Sequence, residues 1–117
     1  MGTGWIAVDK TLPFKPEIAV LARVLKITRA EVVVACFRLW AWADDMSVNG
    51  ELGELDFEAV DEAVAVKGFG EAMIDVGWLE VRVDGCFVIP NWDAWNSKSA
   101  KARILSARRN SRLRRRT

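Results

Sequence analysis

Residues 78–89 read WLEVRVDGCFVI, and this stretch decides the fold of the chain. Apolar and polar residues alternate from residue 78 to residue 83, and the apolar run at 86–89 follows Asp84-Gly85, a dipeptide that is typical of two-residue hairpin turns. The pattern predicts a β-hairpin in which the residues flanking the turn face each other and Val81 faces Val88. That register places an apolar face on one side of the hairpin.

The same register leaves two large apolar side chains, Phe87 and Ile89, on the mixed face of the hairpin. These side chains need cover, and Trp92 and Trp95 follow closely in the chain. We therefore expect Phe87, Ile89, Trp92 and Trp95 to form an interface, either within the chain or with a second subunit. The two tryptophans also lie next to a basic segment, where they would be able to stack on unpaired bases instead.

The segments that precede the hairpin read as helices. Thr28 and Glu31 form a capping box at the start of the central helix. From residue 32 to residue 43 only Arg38 is polar, so we expect this helix to be buried on most sides. Arg38 should then pair with Asp45 or Glu31. The predicted helices span 17–27, 29–46, 57–67 and 70–76, with a short strand or extended link at 50–55.

The order of these elements predicts a mostly α fold with a small β-hairpin, of the α+β class. Two helices, an extended link, two more helices and a hairpin are the order of a winged helix-turn-helix. Residues 70–76 would be its recognition helix, and 79–89 its wing. The winged-helix domain would span 1–96, including an N-terminal extension, and a basic helix or tail would span 97–117.

The charges of the chain are strongly separated along its length. Residues 1–93 hold 8 of the 17 Lys and Arg residues and all 16 Asp and Glu residues, which gives this part a net charge of −8. The remainder carries +9. Such a basic segment usually binds a polyanion, most often nucleic acid, although a solvated basic helix or a linker would have the same composition.

The composition argues against several classes of protein. The chain has no His and only two Cys, which removes the commonest general base and most zinc sites. We therefore expect no enzyme, no metal and no cofactor. Cys36 and Cys86 lie among apolar residues and read as reduced core cysteines. No apolar run is long enough to span a membrane, and no secretory signal is visible, so the expected location is the cytoplasm.

Several short stretches resemble one group of proteins. They read VGWL at 76–79, IPNWD at 89–93 and NSKSAK at 96–101, before an Arg-rich run, and WIAVD at 5–9. In these features the chain is similar to the N-terminal domains of phage replisome-organiser and DnaD-type replication initiation proteins. The resemblance implies a winged helix that helps to recruit the replicative helicase to an origin.

The predicted recognition helix is unusual for a DNA-binding protein because it is acidic. Residues 70–76 contain Glu71 and Asp75 and no cation, and these carboxylates would be repelled by phosphates. The sequence therefore assigns nucleic-acid binding mainly to the C-terminal segment. If this segment is helical, one side of it carries Lys101, Arg108, Arg112 and Arg115. The candidate residues are Lys98, Lys101, Arg103, Arg108, Arg109, Arg112, Arg114, Arg115 and Arg116, with Lys67, Arg82, Asn91 and Asn96 as weaker candidates.

Three functions fit these features. The leading hypothesis is a winged-helix domain of a phage-type replication initiation protein that binds duplex or single-stranded DNA. The alternative is an interaction or dimerisation module that binds a helicase or its loader, with the tail only as a tether. The third is a small transcriptional regulator or an arginine-rich RNA binder. The acids at 51, 54, 58, 61 and 62 are expected to be solvated surface.

Overall fold

The structure, a computed structural model, describes residues 4–116, without the side chains of residues 95, 98 and 111–116. Its elements follow the predicted order and confirm a mostly helical α+β fold with a small antiparallel sheet. They are α1 Pro16–Leu25, α2 Arg29–Met46, β1 Glu51–Glu54, α3 Phe57–Val64, α4 Phe69–Asp75, β2 Glu80–Val81, β3 Cys86–Val88, α5 Trp92–Trp95 and α6 Lys98–Arg116, with a 3-10 turn at Leu12–Phe14.

The central helix α2 begins at the predicted capping box. The Glu31 amide donates to Thr28 Oγ1 at 3.1 Å, and the Thr28 amide donates to Glu31 Oε1 at 3.4 Å. Two donors that would otherwise lack partners at the helix start are satisfied in this way. The start of α2 could therefore be located from the sequence to the residue.

One face of α2 forms the centre of the core, through Val32, Ala35, Cys36, Leu39 and Ala43. Burial raises the pKa of the Cys36 thiol to about 12, and both cysteines are free, as expected.

The opposite face of α2 is exposed, so the prediction that this helix is buried on most sides is wrong. Val34 and Phe37 are 47% and 52% exposed, because α1 and α3 pack against α2 and leave this face uncovered. Arg38 also differs from expectation. Its guanidinium donates to the Val64 carbonyl oxygen at 3.1 Å and so satisfies the C-terminal end of α3.

The hairpin forms where it was predicted, but its register is shifted by one residue. The Arg82 amide donates to the Cys86 carbonyl at 2.9 Å, so the loop contains three residues and not two. Gly85 has a φ of +88°, the left-handed conformation that a three-residue loop with a bulge requires. As a result Val81 lies opposite Phe87 and not Val88.

Two side chains that were predicted for the mixed face of the hairpin are buried. Phe87 and Ile89 are 4% and 6% exposed and belong to the core, whereas Val83 is fully exposed. The ring of Phe87 contacts Phe57 of α3 edge to face, with the centroids 5.4 Å apart. Phe87 and Ile89 are therefore covered within the chain, which is one of the two arrangements that the sequence left open.

Trp92 belongs to the same core and is 6% exposed. It packs so closely on Gly50 that a Cβ placed on this glycine would lie 2.6 Å from the Trp92 Cβ. The expectation that Trp92 covers the hairpin is confirmed. A side chain buried in this way can neither contact a second subunit nor stack on bases. The side chain of Trp95 lies outside the described residues. The sheet has the strand order β1-β3-β2, so the link at 51–54 completes it as a third strand.

A single carboxylate fixes the connection between α3 and α4. Asp61 accepts hydrogen bonds from the amides of Gly68 and Gly70, each at 2.8 Å. These bonds hold the first turn of α4 at a set angle to α3. Asp61 is therefore a structural group and not the solvated surface acid that was expected.

Replacing Asp61 by Ala should lower the free energy of unfolding by about 1–3 kcal/mol, because two partly buried amides lose their acceptor. Urea denaturation followed by circular dichroism measures the loss. The exposed neighbour Glu62 offers a matched control, and Glu62→Ala should change stability by less than about 0.5 kcal/mol. Equal effects of the two substitutions would contradict the structural role of Asp61.

Candidate nucleic-acid interface

The basic segment forms one long helix, α6, which leaves the body of the protein after its first two turns. A helix of 19 residues is about 28 Å long. Residues 105–110 are all exposed, and they cover more than one full turn, so no side of this part rests on the body. The longest dimension of the molecule is 51 Å, against 31 and 21 Å for the others.

The base of α6 is attached to the body by a buried ion pair. Lys101 Nζ lies 2.7 Å from Asp44 Oδ1, and the two side chains are only 5% and 8% exposed. The same ammonium donates to the Trp5 carbonyl oxygen at 2.7 Å and lies 5.2 Å from the centre of the Trp5 ring. Lys101 thereby connects α6, the end of α2 and the N-terminal segment.

This position corrects the assignment of Lys101 to the nucleic-acid-binding residues. Its charge is compensated by a carboxylate inside the protein and is out of reach of phosphates. This role cannot be predicted from the residues around Lys101, because Lys101 stands in a run of cations and its partner Asp44 is 57 residues away. Only the tertiary fold brings the two groups together.

A second contact at the same place involves Asn96. Its side-chain amide accepts a hydrogen bond from the Ala7 amide at 2.6 Å and donates to the Ala7 carbonyl at 3.1 Å. Asn96 therefore holds the N-terminal segment. Because it is only 8% exposed, it is not available to nucleic acid, contrary to the prediction. The next residue, Ser97, accepts from the Ala100 amide at 3.1 Å and caps the start of α6.

Three of the predicted cations, Arg103, Arg108 and Arg109, are exposed on the part of α6 whose side chains are described. Successive helix residues are rotated by about 100°, so Arg108 and Arg109 flank one face of the helix and Arg103 points away from that face. The predicted row of Lys101, Arg108, Arg112 and Arg115 loses its first member, because Lys101 is buried. The side chains of Lys98, Arg112, Arg114, Arg115 and Arg116 lie outside the described residues.

The predicted recognition helix α4 presents acids to solvent, as its sequence indicates. Glu71 and Asp75 are exposed, and the weaker candidate Lys67 is exposed just before the helix. Arg82 in the hairpin is paired with Glu51, at 2.9 Å between Nη1 and Oε1, and this hydrogen bond raises its pKa. Asn91 is exposed and has a left-handed backbone, with φ of +62°.

The chain matches no family model, no curated protein and no solved structure. Among the described residues, no group of His, Cys, Asp and Glu side chains is arranged to hold a metal ion. No helix in the described part of the chain is both long and apolar enough to cross a membrane.

Removal of one partner from the buried ion pair should be costly. Asp44→Ala leaves the Lys101 ammonium buried without its carboxylate, and we expect a loss of about 3 kcal/mol of unfolding free energy. The double variant Asp44→Leu with Lys101→Met removes both charges and should recover most of this loss. Urea denaturation followed by circular dichroism measures both effects.

The control for these variants is Arg103→Met, which removes an exposed cation from the same helix. It should alter stability by less than about 0.5 kcal/mol. An Asp44→Ala protein that is as stable as this control would show that the ion pair does not hold α6 to the body.

Proposed function

We propose that the chain is a winged-helix domain that binds nucleic acid through α6. The observation that carries the proposal is the helix itself: it leaves the body after Lys101 and exposes Arg103, Arg108 and Arg109 around its circumference. A free-standing cationic helix is suited to a groove whose walls carry phosphates on both sides.

The order of the elements supports the winged-helix part of the proposal. Two helices joined by the turn at 65–68 precede a hairpin, and β1 joins the hairpin in one small sheet. In this arrangement α4 is the recognition helix and the hairpin is the wing. The acids on α4 make the usual insertion of this helix into the major groove unfavourable, which leaves α6 as the element that contacts DNA.

The likeness of the sequence to phage replisome-organiser and DnaD-type proteins supports a role in the initiation of replication. In that role α6 would bind DNA at an origin without reading its sequence, because arginine contacts to phosphates carry no base information. The acidic body would contact a helicase or its loader. Such a domain would act in the cytoplasm and would need neither a catalytic residue nor a cofactor.

A second function, an interaction module with α6 as a tether, is favoured by one specific observation. Glu71 and Asp75 stand exposed at the position where a DNA-binding winged helix presents cations. A partner protein with a basic surface would complement them. The two functions differ in whether nucleic acid binds α6 at all.

Replacing Arg103, Arg108 and Arg109 together by Gln should weaken the binding of duplex DNA. If each arginine neutralises one phosphate, the slope of log K against log salt should fall by up to about 2.7, since each contact contributes about 0.9. Fluorescence anisotropy of a labelled duplex and a labelled single strand, titrated at several salt concentrations, gives both the affinity and the slope.

The matched control replaces three exposed cations of the body, Lys10, Arg23 and Arg29, by Gln. This variant has the same net charge as the α6 variant and should keep both the affinity and the salt slope of the unaltered protein. If the two variants lose affinity equally, binding follows net charge and not α6. If the unaltered protein does not bind DNA at low salt, the interaction module becomes the better account.

A further inference from the structure

An open trough lies between α4 and the hairpin, and its walls are largely apolar. Ile74 of α4 lines one side, and Val81 and Val83 of the hairpin line the other. Val81 is 43% exposed, and Val83 has its whole side chain in water. Both valines lie outside the core, in which Phe87 of the adjacent strand is buried.

The rim of this trough is acidic. Glu80 and Asp84 line it and are exposed, and Asp75 follows Ile74 on α4. Among the described residues, Arg82 is the only cation that lines the trough, and its charge is offset by its pair with Glu51. An apolar surface with an acidic rim repels nucleic acid and is complementary to a helix that carries both leucine and arginine.

One face of α6 has these properties. Leu105 is 50% exposed, and Arg108 and Arg109 follow it at three and four positions, so the three side chains share one helix face. Within its own chain this face is in water, because α6 is fixed at Lys101 and extends away from the body. The face has an apolar group and two cations, and the trough has apolar walls and two carboxylates.

We propose that this face of α6 docks into the trough of a second copy of the chain. Leu105 would contact Val81 and Val83, and Arg108 and Arg109 would pair with Glu80 and Asp84. Each copy offers two different surfaces, so the contact is head-to-tail and leaves one helix and one trough free at the ends of every assembly. Copies therefore add in a row and do not stop at a dimer.

Docking and the proposed binding of DNA would use the same arginines. A copy whose α6 lies in a neighbour's trough cannot hold phosphates with Arg108 and Arg109, so DNA and self-assembly compete. Self-assembly itself needs no DNA, and it can be tested whether or not the proposed function is correct.

The test is sedimentation velocity of the full chain without DNA, over a range of protein concentrations. At about 50 mM salt the average mass should rise with concentration, and at about 500 mM it should return to that of a monomer, because exposed ion pairs are screened. A chain that stays monomeric at low salt and high concentration would overturn the proposal.

Two variants then locate the contact. Glu80→Gln with Asp84→Asn removes the charges of the trough, and Arg108→Gln with Arg109→Gln removes those of α6. Each variant should associate about tenfold more weakly than the unaltered chain. The control Glu58→Gln with Glu62→Gln removes two exposed acids of α3 and should assemble as the unaltered chain does.

Mixing the two variants gives the decisive result. The trough variant still has an intact α6, and the α6 variant still has an intact trough, so an equimolar mixture should form a one-to-one heterodimer that grows no further. This recovery also shows that both variants are folded. Absence of a heterodimer, or assembly of either variant alone to the unaltered extent, would overturn the proposal.

Discussion

The buried ion pair between Lys101 and Asp44 is the interaction on which the arrangement of this molecule depends. An ammonium and a carboxylate with little access to water are tolerated only when each satisfies the other, and the Trp5 carbonyl oxygen accepts a further hydrogen bond from the ammonium. This requirement determines where α6 starts and in which direction it leaves the body. It also fixes the N-terminal segment, which Asn96 holds through both polar groups of the Ala7 backbone.

The separation of charge along the sequence becomes a separation in space because of this attachment. If the basic segment were flexible, it would be able to fold back onto the acidic surface of its own chain. Held at its base as a helix, it carries its arginines away from the carboxylates of α3 and α4. Among the side chains that the structure describes, Arg103, Arg108 and Arg109 are exposed, and they remain available to a polyanion or to another acidic surface.

The sequence was a good guide wherever the determining contacts are local. The capping box of Thr28 and Glu31 located the start of α2, and the alternation around Asp84-Gly85 located the hairpin. The register was missed because a dipeptide that favours a two-residue loop also fits a three-residue loop when its glycine adopts a left-handed conformation. That difference of one residue changed the cross-strand partners, so that Val81 lies opposite Phe87. The sequence pattern alone does not show that Phe87 is the buried one of this pair.

The roles of Lys101, Asn96 and Asp61 depend on partners that are distant in sequence or belong to the backbone. Nothing in the neighbourhood of Lys101 distinguishes it from Arg103, yet one is buried and the other is exposed. A cation in a basic run is expected at the surface unless a carboxylate that would pair with it in the interior is known. Similarly, Asp61 stands among acids of α3 that face water, and its function becomes visible only when the Gly68 and Gly70 amides are in place.

The contacts at the base of α6 also bear on the order in which the chain acquires its structure. They join residues that are 57, 89 and 96 positions apart, whereas the helices and the hairpin form from near neighbours. Closing such long loops costs more entropy than forming local turns, and contacts of large sequence separation slow the folding of a domain. During synthesis, Asp44 emerges from the ribosome well before Lys101 and remains hydrated until its partner arrives. Burial of this carboxylate therefore belongs to the last stage of folding, when the N-terminal segment and the base of α6 are brought together.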